Sequence, residues 1–84
     1  MTYAVEMLRS AQKQLTRLPA EHQERILVAV AALADAPRPE GCSKLTGRDG
    51  WRIRVGDYRI IYEICDARCV VIVVVVGHRK DAYR

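Results

Sequence analysis

Two short segments in the second half of the chain, WRIRVGDYR and GHRKDAYR, combine arginines with tyrosine. Arginine carries a planar fork of N–H donors that matches the oxygens of a phosphate group. Tyrosine and histidine supply groups that can give or take a proton. These residue types point to chemistry on a phosphate, and the residues concerned are Arg52, Arg54, Arg59, His78, Arg79 and Tyr83.

The distribution of charge supports an anionic partner. The formal net charge is +4. Residues 1–37 carry four basic and four acidic side chains, whereas residues 38–84 carry ten basic and six acidic ones. A basic excess confined to one part of a domain favours a polyanion such as nucleic acid. Ordinary solubility charge is the alternative, and net charge alone does not decide between them.

The dipeptide Gly56-Asp57 predicts a two-residue hairpin turn, which fixes the register of the strands on either side. Arg54 then lies opposite Arg59, and Arg52 lies on the same face of the sheet. Like charges placed opposite each other destabilise a strand pair. A phosphate-binding face explains this crowding, and a solvated face with long side chains is the alternative.

The apolar run that precedes the tail predicts a strand that ends at Gly77, where glycine permits a sharp exit. This arrangement sets His78, Arg79, Lys80 and Tyr83 beside the arginine face. Lys44 lies shortly before the arginines in the sequence, and whether it joins that face stays open.

The positioning elements follow from hydrophobic periodicity. Residues 2–7 alternate as a strand, and apolar stripes predict helices over about 10–18 and 20–35. The second stripe consists of Ile26, Leu27, Val30, Leu33 and Ala34. Loop signals cover 37–50, and strands are expected at 51–55, 58–65 and 69–76. The order β-α-α-β-β-β predicts an α+β domain, a helical hairpin on a mostly antiparallel four-stranded sheet.

Size and composition limit the remaining possibilities. The 84 residues suit one domain, 1–84. No apolar run approaches membrane-spanning length, and the N-terminus lacks the pattern of a signal peptide, so we expect a cytoplasmic protein. No further ligands complete a metal site around Cys65 and Cys69. The two cysteines flank a predicted turn, so a cross-strand disulfide is the alternative, but small buried thiols are expected in a reducing cytosol. No metal or cofactor is predicted.

The segments KLTGRDGWRIRVGDYRIIYEI and VVVVGHRKDAYR resemble the RelE/ParE toxin superfamily, and in particular its RelE-type, ribosome-dependent mRNA endonucleases. The order of predicted elements matches as well. The resemblance implies a toxin of a type II toxin–antitoxin pair, which cuts mRNA in the ribosomal A site and is inhibited by a cognate antitoxin. The implied reaction is a metal-independent transesterification by the RNA 2′-OH.

The resemblance also implies roles for individual residues. Arg52 and Arg54 match basic residues that hold the RNA backbone and assist proton transfer. Arg59 matches an arginine that stabilises charge on the scissile phosphate, and Arg79 one that stabilises the transition state. Tyr83 matches the tyrosine that orients or deprotonates the 2′-OH. Lys44, His78 and Lys80 are further candidates for RNA binding.

Two points stay open. A free histidine titrates nearer neutral pH than a tyrosine, so His78 competes with Tyr83 as the base. We favour Tyr83, because neighbouring residues at a strand exit point to opposite sides and Arg79 must face the site. The alternative functions are a ParE-like inhibitor of DNA gyrase without its own chemistry, and a module that binds RNA without cutting it.

Overall fold

The computed structural model describes residues 2–78 and Lys80. It contains two helices and five strands in this part of the chain: β1 (Ala4–Met7), α1 (Arg9–Thr16), α2 (Ala20–Ala32), β2 (Ser43–Lys44), β3 (Trp51–Val55), β4 (Tyr58–Cys65) and β5 (Val70–His78). The strands form one sheet in the order β1-β5-β4-β3-β2. Only the β1–β5 pair is parallel. The predicted α+β architecture is confirmed, but the sheet has five strands instead of four.

The helices pack on one face of the sheet through short apolar stripes. Ile26, Val30 and Leu33 follow the spacing i, i+4, i+7, and each is at most 5% exposed. Leu15 of α1 is buried in the same core. The expectation that Leu27 belongs to this stripe is wrong, since it is 48% exposed. Each residue turns a helix by about 100°, which carries Leu27 away from the buried line.

The β3–β4 hairpin has the predicted two-residue turn. Gly56 adopts a φ of +60°, whereas Asp57 keeps a negative φ. This combination belongs to the type II′ turn, in which the first central position favours glycine. Val55 therefore pairs with Tyr58, and the register of the hairpin is the one that the sequence predicts.

Strand β5 lies between β1 and β4, which explains its unbroken apolar sequence. It begins at Val70 because the preceding turn includes Cys69, whose φ is +54°. It continues past the predicted end at Gly77 as far as His78, since both residues still pair with β4. A register irregularity at Ile61/Tyr62 leaves one more residue on β5 than on β4 at that point.

Polar contacts fasten the loop after α2 to the opposite end of the sheet from the β3–β4 turn. Arg38 donates from Nη2 to Oδ2 of Asp66 at 2.8 Å, and the Tyr3 hydroxyl donates to Asp66 Oδ1 at 2.6 Å. The hydroxyl of buried Tyr62 donates to the Pro37 carbonyl at 2.8 Å. Burial of Tyr62 raises the pKa of its phenol above the usual value.

The three cysteines are free thiols, and each is half-buried. No helix within residues 2–78 and 80 is long and apolar enough to cross a membrane.

Candidate functional site

Three arginines lie on the face of the sheet that points away from the helices. Arg54 pairs directly with Arg59, and Arg52 pairs with Ile61. Paired residues share a face, while their neighbours along each strand pack against the helices. Arg54 is exposed, whereas Arg52 and Arg59 are half-buried. We call Arg52, Arg54 and Arg59 the arginine face, and its predicted arrangement is confirmed.

The half-buried arginines are held by their surroundings. Nη2 of Arg52 donates to the Ser43 hydroxyl at 3.3 Å, so β2 orients this guanidinium. Strand β2 was not predicted, because a two-residue strand inside a loop has no periodicity. Arg59 pairs with Gly77 on β5. Glycine places no side chain beside Arg59 on that strand.

The arginine face has an apolar floor, Ile61, which the hairpin register places opposite Arg52 but whose burial was not predicted. Ile61 is only 1% exposed, although it points away from the helical core. It lies between Arg52 on β3 and Val75 on β5. Cations beside such a surface interact more strongly with an anion than cations in open water do. The signal in the sequence was an isoleucine at a position where alternation calls for a polar residue.

His78 does not join the arginine face. It pairs with Tyr58, and Tyr58 packs against the helical core. The centroids of the two rings are 5.8 Å apart, in an edge-to-face arrangement. The expectation that His78 lies beside the arginines is therefore wrong. His78 lies on the other face because β5 continues to His78, in register with β4, instead of ending at Gly77.

Lys44 does not lie on the arginine face either, because it pairs with Trp51, on the side of the sheet that carries the helices. Its Nζ is 5.6 Å from the centre of the Trp51 ring, and the Arg38 guanidinium is 5.2 Å from the same ring. These side chains line a cleft of about 310 Å³ at the end of the sheet remote from the β3–β4 turn. Binding of RNA by Lys44 stays a prediction, and it requires the RNA to contact the protein outside the arginine face.

The tail is only partly described. Lys80 is exposed, and its backbone N–H donates to Nδ1 of His78 at 3.4 Å. Arg79 and Tyr83, the two predicted catalytic residues of the tail, lie outside the described residues. Within residues 2–78 and 80, no group of three or more His, Cys, Asp or Glu side chains is arranged to hold a metal ion.

Comparison with known proteins identifies the relatives of this chain. The family model described as the ParE toxin of type II toxin–antitoxin systems, parDE, matches residues 5–83. The chain belongs to this ParE toxin family. A curated relative, toxin RelG of Mycobacterium tuberculosis, is 36% identical over all of this chain and 99% of its own length.

Solved structures of RelE proteins share the fold of this ParE toxin family member. A chain of the archaeal RelE–RelB complex from Pyrococcus horikoshii matches with a TM-score of 0.85 and 33% identity, over 98% of this chain and 100% of its own. A double arginine-to-alanine variant of Escherichia coli RelE in the free state matches with a TM-score of 0.80 and 28% identity, over 95% and 86%. The resemblance to the RelE/ParE superfamily is thus confirmed, and the protein is a RelE-type toxin of the type II toxin–antitoxin class.

Proposed function

We propose that this toxin is an endoribonuclease that cleaves mRNA in the ribosomal A site and so inhibits translation. The observation that carries the proposal is the direct pairing of Arg54 with Arg59 on the sheet face that points away from the helices. Two arginines directly opposite each other on neighbouring strands favour a ligand with concentrated negative charge. A phosphodiester that gains charge during a reaction meets this description, and the similarity to RelE toxins supports an RNA substrate.

The chemistry is an internal transesterification. The 2′-oxygen of the RNA attacks the adjacent phosphorus, and the bond from phosphorus to the 5′-oxygen of the next nucleotide breaks. The products are a 2′,3′-cyclic phosphate and a 5′-hydroxyl end, and no metal or cofactor takes part. The 2′-hydroxyl proton passes to a base, and the leaving oxygen receives a proton.

Arg54 and Arg59 serve the charged stage of this reaction. The phosphorane gains negative charge relative to the ground state, so fixed cations lower its energy more than that of the substrate. Arg52, oriented by Ser43, holds an adjacent part of the backbone. In this proposal Arg79 stabilises the transition state and Tyr83 deprotonates or orients the 2′-OH. Both roles rest on the resemblance.

The proposed partners are the ribosome with its mRNA and a cognate antitoxin, in the cytoplasm. The matched structures include RelE proteins crystallised with RelB antitoxins, from Pyrococcus horikoshii and Escherichia coli among others. A ribosomal requirement fits the arginine face, which supplies charge stabilisation but no matched acid–base pair of its own. In this proposal the ribosome orients the mRNA, and this orientation accelerates the cleavage that the arginine face alone does not.

The test adds purified toxin to translating ribosomes and maps the 5′ ends of the mRNA. We expect cuts in phase with codons, 5′-hydroxyl ends, and strong loss of cutting in Arg59→Ala, Arg79→Ala and Tyr83→Phe. Arg68→Ala is the matched control, because Arg68 is exposed in the turn at the other end of β4. Intact mRNA with wild-type toxin would refute the proposal.

A second candidate is a ParE-like toxin that acts on DNA gyrase without chemistry of its own. It is favoured by the family description, which names ParE toxins. Assays of the same purified toxin with translating ribosomes and with DNA gyrase separate the two candidates. A gyrase toxin leaves mRNA intact and causes accumulation of cleaved DNA in the presence of gyrase.

A further inference from the structure

His78 occupies the last position of β5, directly before Arg79 in the chain. It is half-buried on the side of the sheet that carries the helices. This places its imidazole on the opposite side of the sheet from Arg54 and Arg59. A residue in this position neither contacts the phosphate held by the arginine face nor takes a proton from a nucleotide bound there.

The imidazole is instead part of a row of three rings. Tyr58 lies between His22 of α2, at 5.2 Å, and His78 of β5, at 5.8 Å between ring centroids. Tyr58 itself packs against the helical core. Ring pairs at such distances are attractive in tilted and edge-to-face arrangements. The row therefore connects the end of β5 to α2 through β4.

A hydrogen bond from the backbone of β5 to α1 fixes the same end of β5 at its other edge. Strand β1 pairs with β5 only as far as Val73, and no other strand within residues 2–78 and 80 lies along the next part of that edge. Gln14 of α1 fills this place, because its Oε1 accepts the backbone N–H of Val76 at 2.8 Å. The end of β5 that leads into the tail is thus held by the contact of the His78 ring with Tyr58 and by the backbone bond of Val76 to Gln14.

A ring nitrogen of His78 contacts the tail directly. Nδ1 accepts the backbone N–H of Lys80 at 3.4 Å, which joins the two residues that flank Arg79 in the sequence. A neutral imidazole has one accepting and one donating nitrogen. When Nδ1 accepts this bond, Nε2 carries the proton. No ring nitrogen then has a free lone pair with which to deprotonate a substrate.

We propose that His78 is a positioning residue, which fixes the backbone on both sides of Arg79 through its Nδ1 bond to Lys80 and its contact with Tyr58. This inference rests on the proposed endoribonuclease function, and it assigns His78 neither to the base nor to direct RNA binding. It explains why a histidine stands here: the ring packs on Tyr58, and its Nδ1 accepts the backbone N–H of Lys80.

Two substitutions separate positioning from catalysis. The side-chain oxygen of Asn lies close to the place of Nδ1, whereas that of Gln reaches the place of Nε2. We expect His78→Asn to retain the Lys80 contact and to cleave mRNA faster than His78→Gln. Misplacement of a reacting group by about 1 Å costs on the order of 100-fold in rate, and His78→Gln is expected to approach that loss. Tyr58→Phe should cleave faster than Tyr58→Leu, because it retains the ring.

Single-turnover rates and ribosome affinity must be measured separately. Positioning predicts a lower rate constant at saturating ribosomes with unchanged affinity in His78→Gln. Equal, large rate losses in the Asn and Gln variants would show that His78 is the base and overturn the proposal. Weakened ribosome binding in both variants, with a normal saturated rate, would show a direct RNA contact and overturn it as well.

A structural measurement keeps this test independent of the proposed activity. The amide of Lys80 should exchange with solvent more slowly in wild type and His78→Asn than in His78→Gln, as followed by NMR. Equal exchange in all three proteins would refute the positioning contact. If the wild-type protein cuts no mRNA but shows the expected exchange pattern, the endoribonuclease function fails while the contact stands.

Discussion

Arg54 and Arg59 face each other across the β3–β4 hairpin, so two like charges are held side by side on the outer face of the sheet. Such a pair destabilises the hairpin relative to a pair in which one residue is uncharged. We therefore expect Arg54→Thr to unfold at an equal or higher urea concentration than wild type, although it cleaves mRNA much more slowly. Opposite changes in stability and activity indicate a pair maintained for function.

The matched control for this prediction is Arg68→Thr, which removes the same charge from the exposed turn after β4. It should leave cleavage close to wild type. A destabilised Arg54→Thr protein would contradict the interpretation, since it would show that the arginine side chain supports the sheet.

The arginine face also predicts how affinity for single-stranded RNA depends on salt. Each phosphate neutralised on a single strand contributes about −0.7 to the slope of log affinity against log salt concentration. We expect Arg52→Gln to reduce the magnitude of that slope by about 0.7, because one guanidinium contact is lost. Fluorescence anisotropy with an RNA that carries a 2′-deoxy substitution at the cleavage position measures binding without reaction. An unchanged slope would place Arg52 outside the interface.

The hairpin that carries the arginine face was predictable because a single local signal determines it. Gly56 and Asp57 define a turn of fixed length, and the length sets which residues face each other. Alternation then assigned the arginines to the outer face. The register of Arg54 and Arg59 followed from these two rules without any information about distant parts of the chain.

Apart from Leu27, the errors concern features that depend on neighbouring strands. Gly77 indicated a strand end, but pairing with Arg59 extends β5 to His78. Strand β2 has only two residues and exists because Ser43 and Lys44 pair with β3. It turns Lys44 towards the Trp51 side of the sheet. Neither pairing has a periodic pattern in the sequence, so the positions of Lys44 and His78 required the tertiary structure.

Gln14 and Gln12 of α1 offer a matched pair for testing the anchor of β5. Gln14 accepts the part-buried N–H of Val76, whereas Gln12 donates to the Met7 carbonyl at an exposed position. A buried donor left without a partner costs about 1–3 kcal/mol. We expect Gln14→Ala to lower the free energy of unfolding by this amount and to accelerate exchange of the Val76 amide. Gln12→Ala should cost clearly less, and equal losses in urea denaturation would contradict the role of Gln14.

The Asp66 cluster predicts a pH dependence of stability. Hydrogen bonds from Arg38, and then from Tyr3, lower the pKa of the Asp66 carboxyl below its usual value. The unfolded chain then binds a proton more readily than the folded chain, so protonation favours unfolding. The stabilising contribution of Asp66 is complete above the pKa that this carboxyl has in the unfolded chain, about 4. It is lost as the pH falls through the lower pKa of the folded state.

Asp66→Asn removes this titration and leaves a side chain of the same shape. We expect wild type to be more stable than Asp66→Asn at pH 6, and the difference to shrink steadily as the pH falls below about 4. Urea denaturation of both proteins across this range measures the difference directly, and other titrating carboxyls cancel in the comparison. Because Asp66 lies at the opposite end of the sheet from Arg54 and Arg59, mRNA cleavage at neutral pH should be retained. A constant stability difference at all pH values would show that the carboxylate charge does not contribute to fastening the loop after α2.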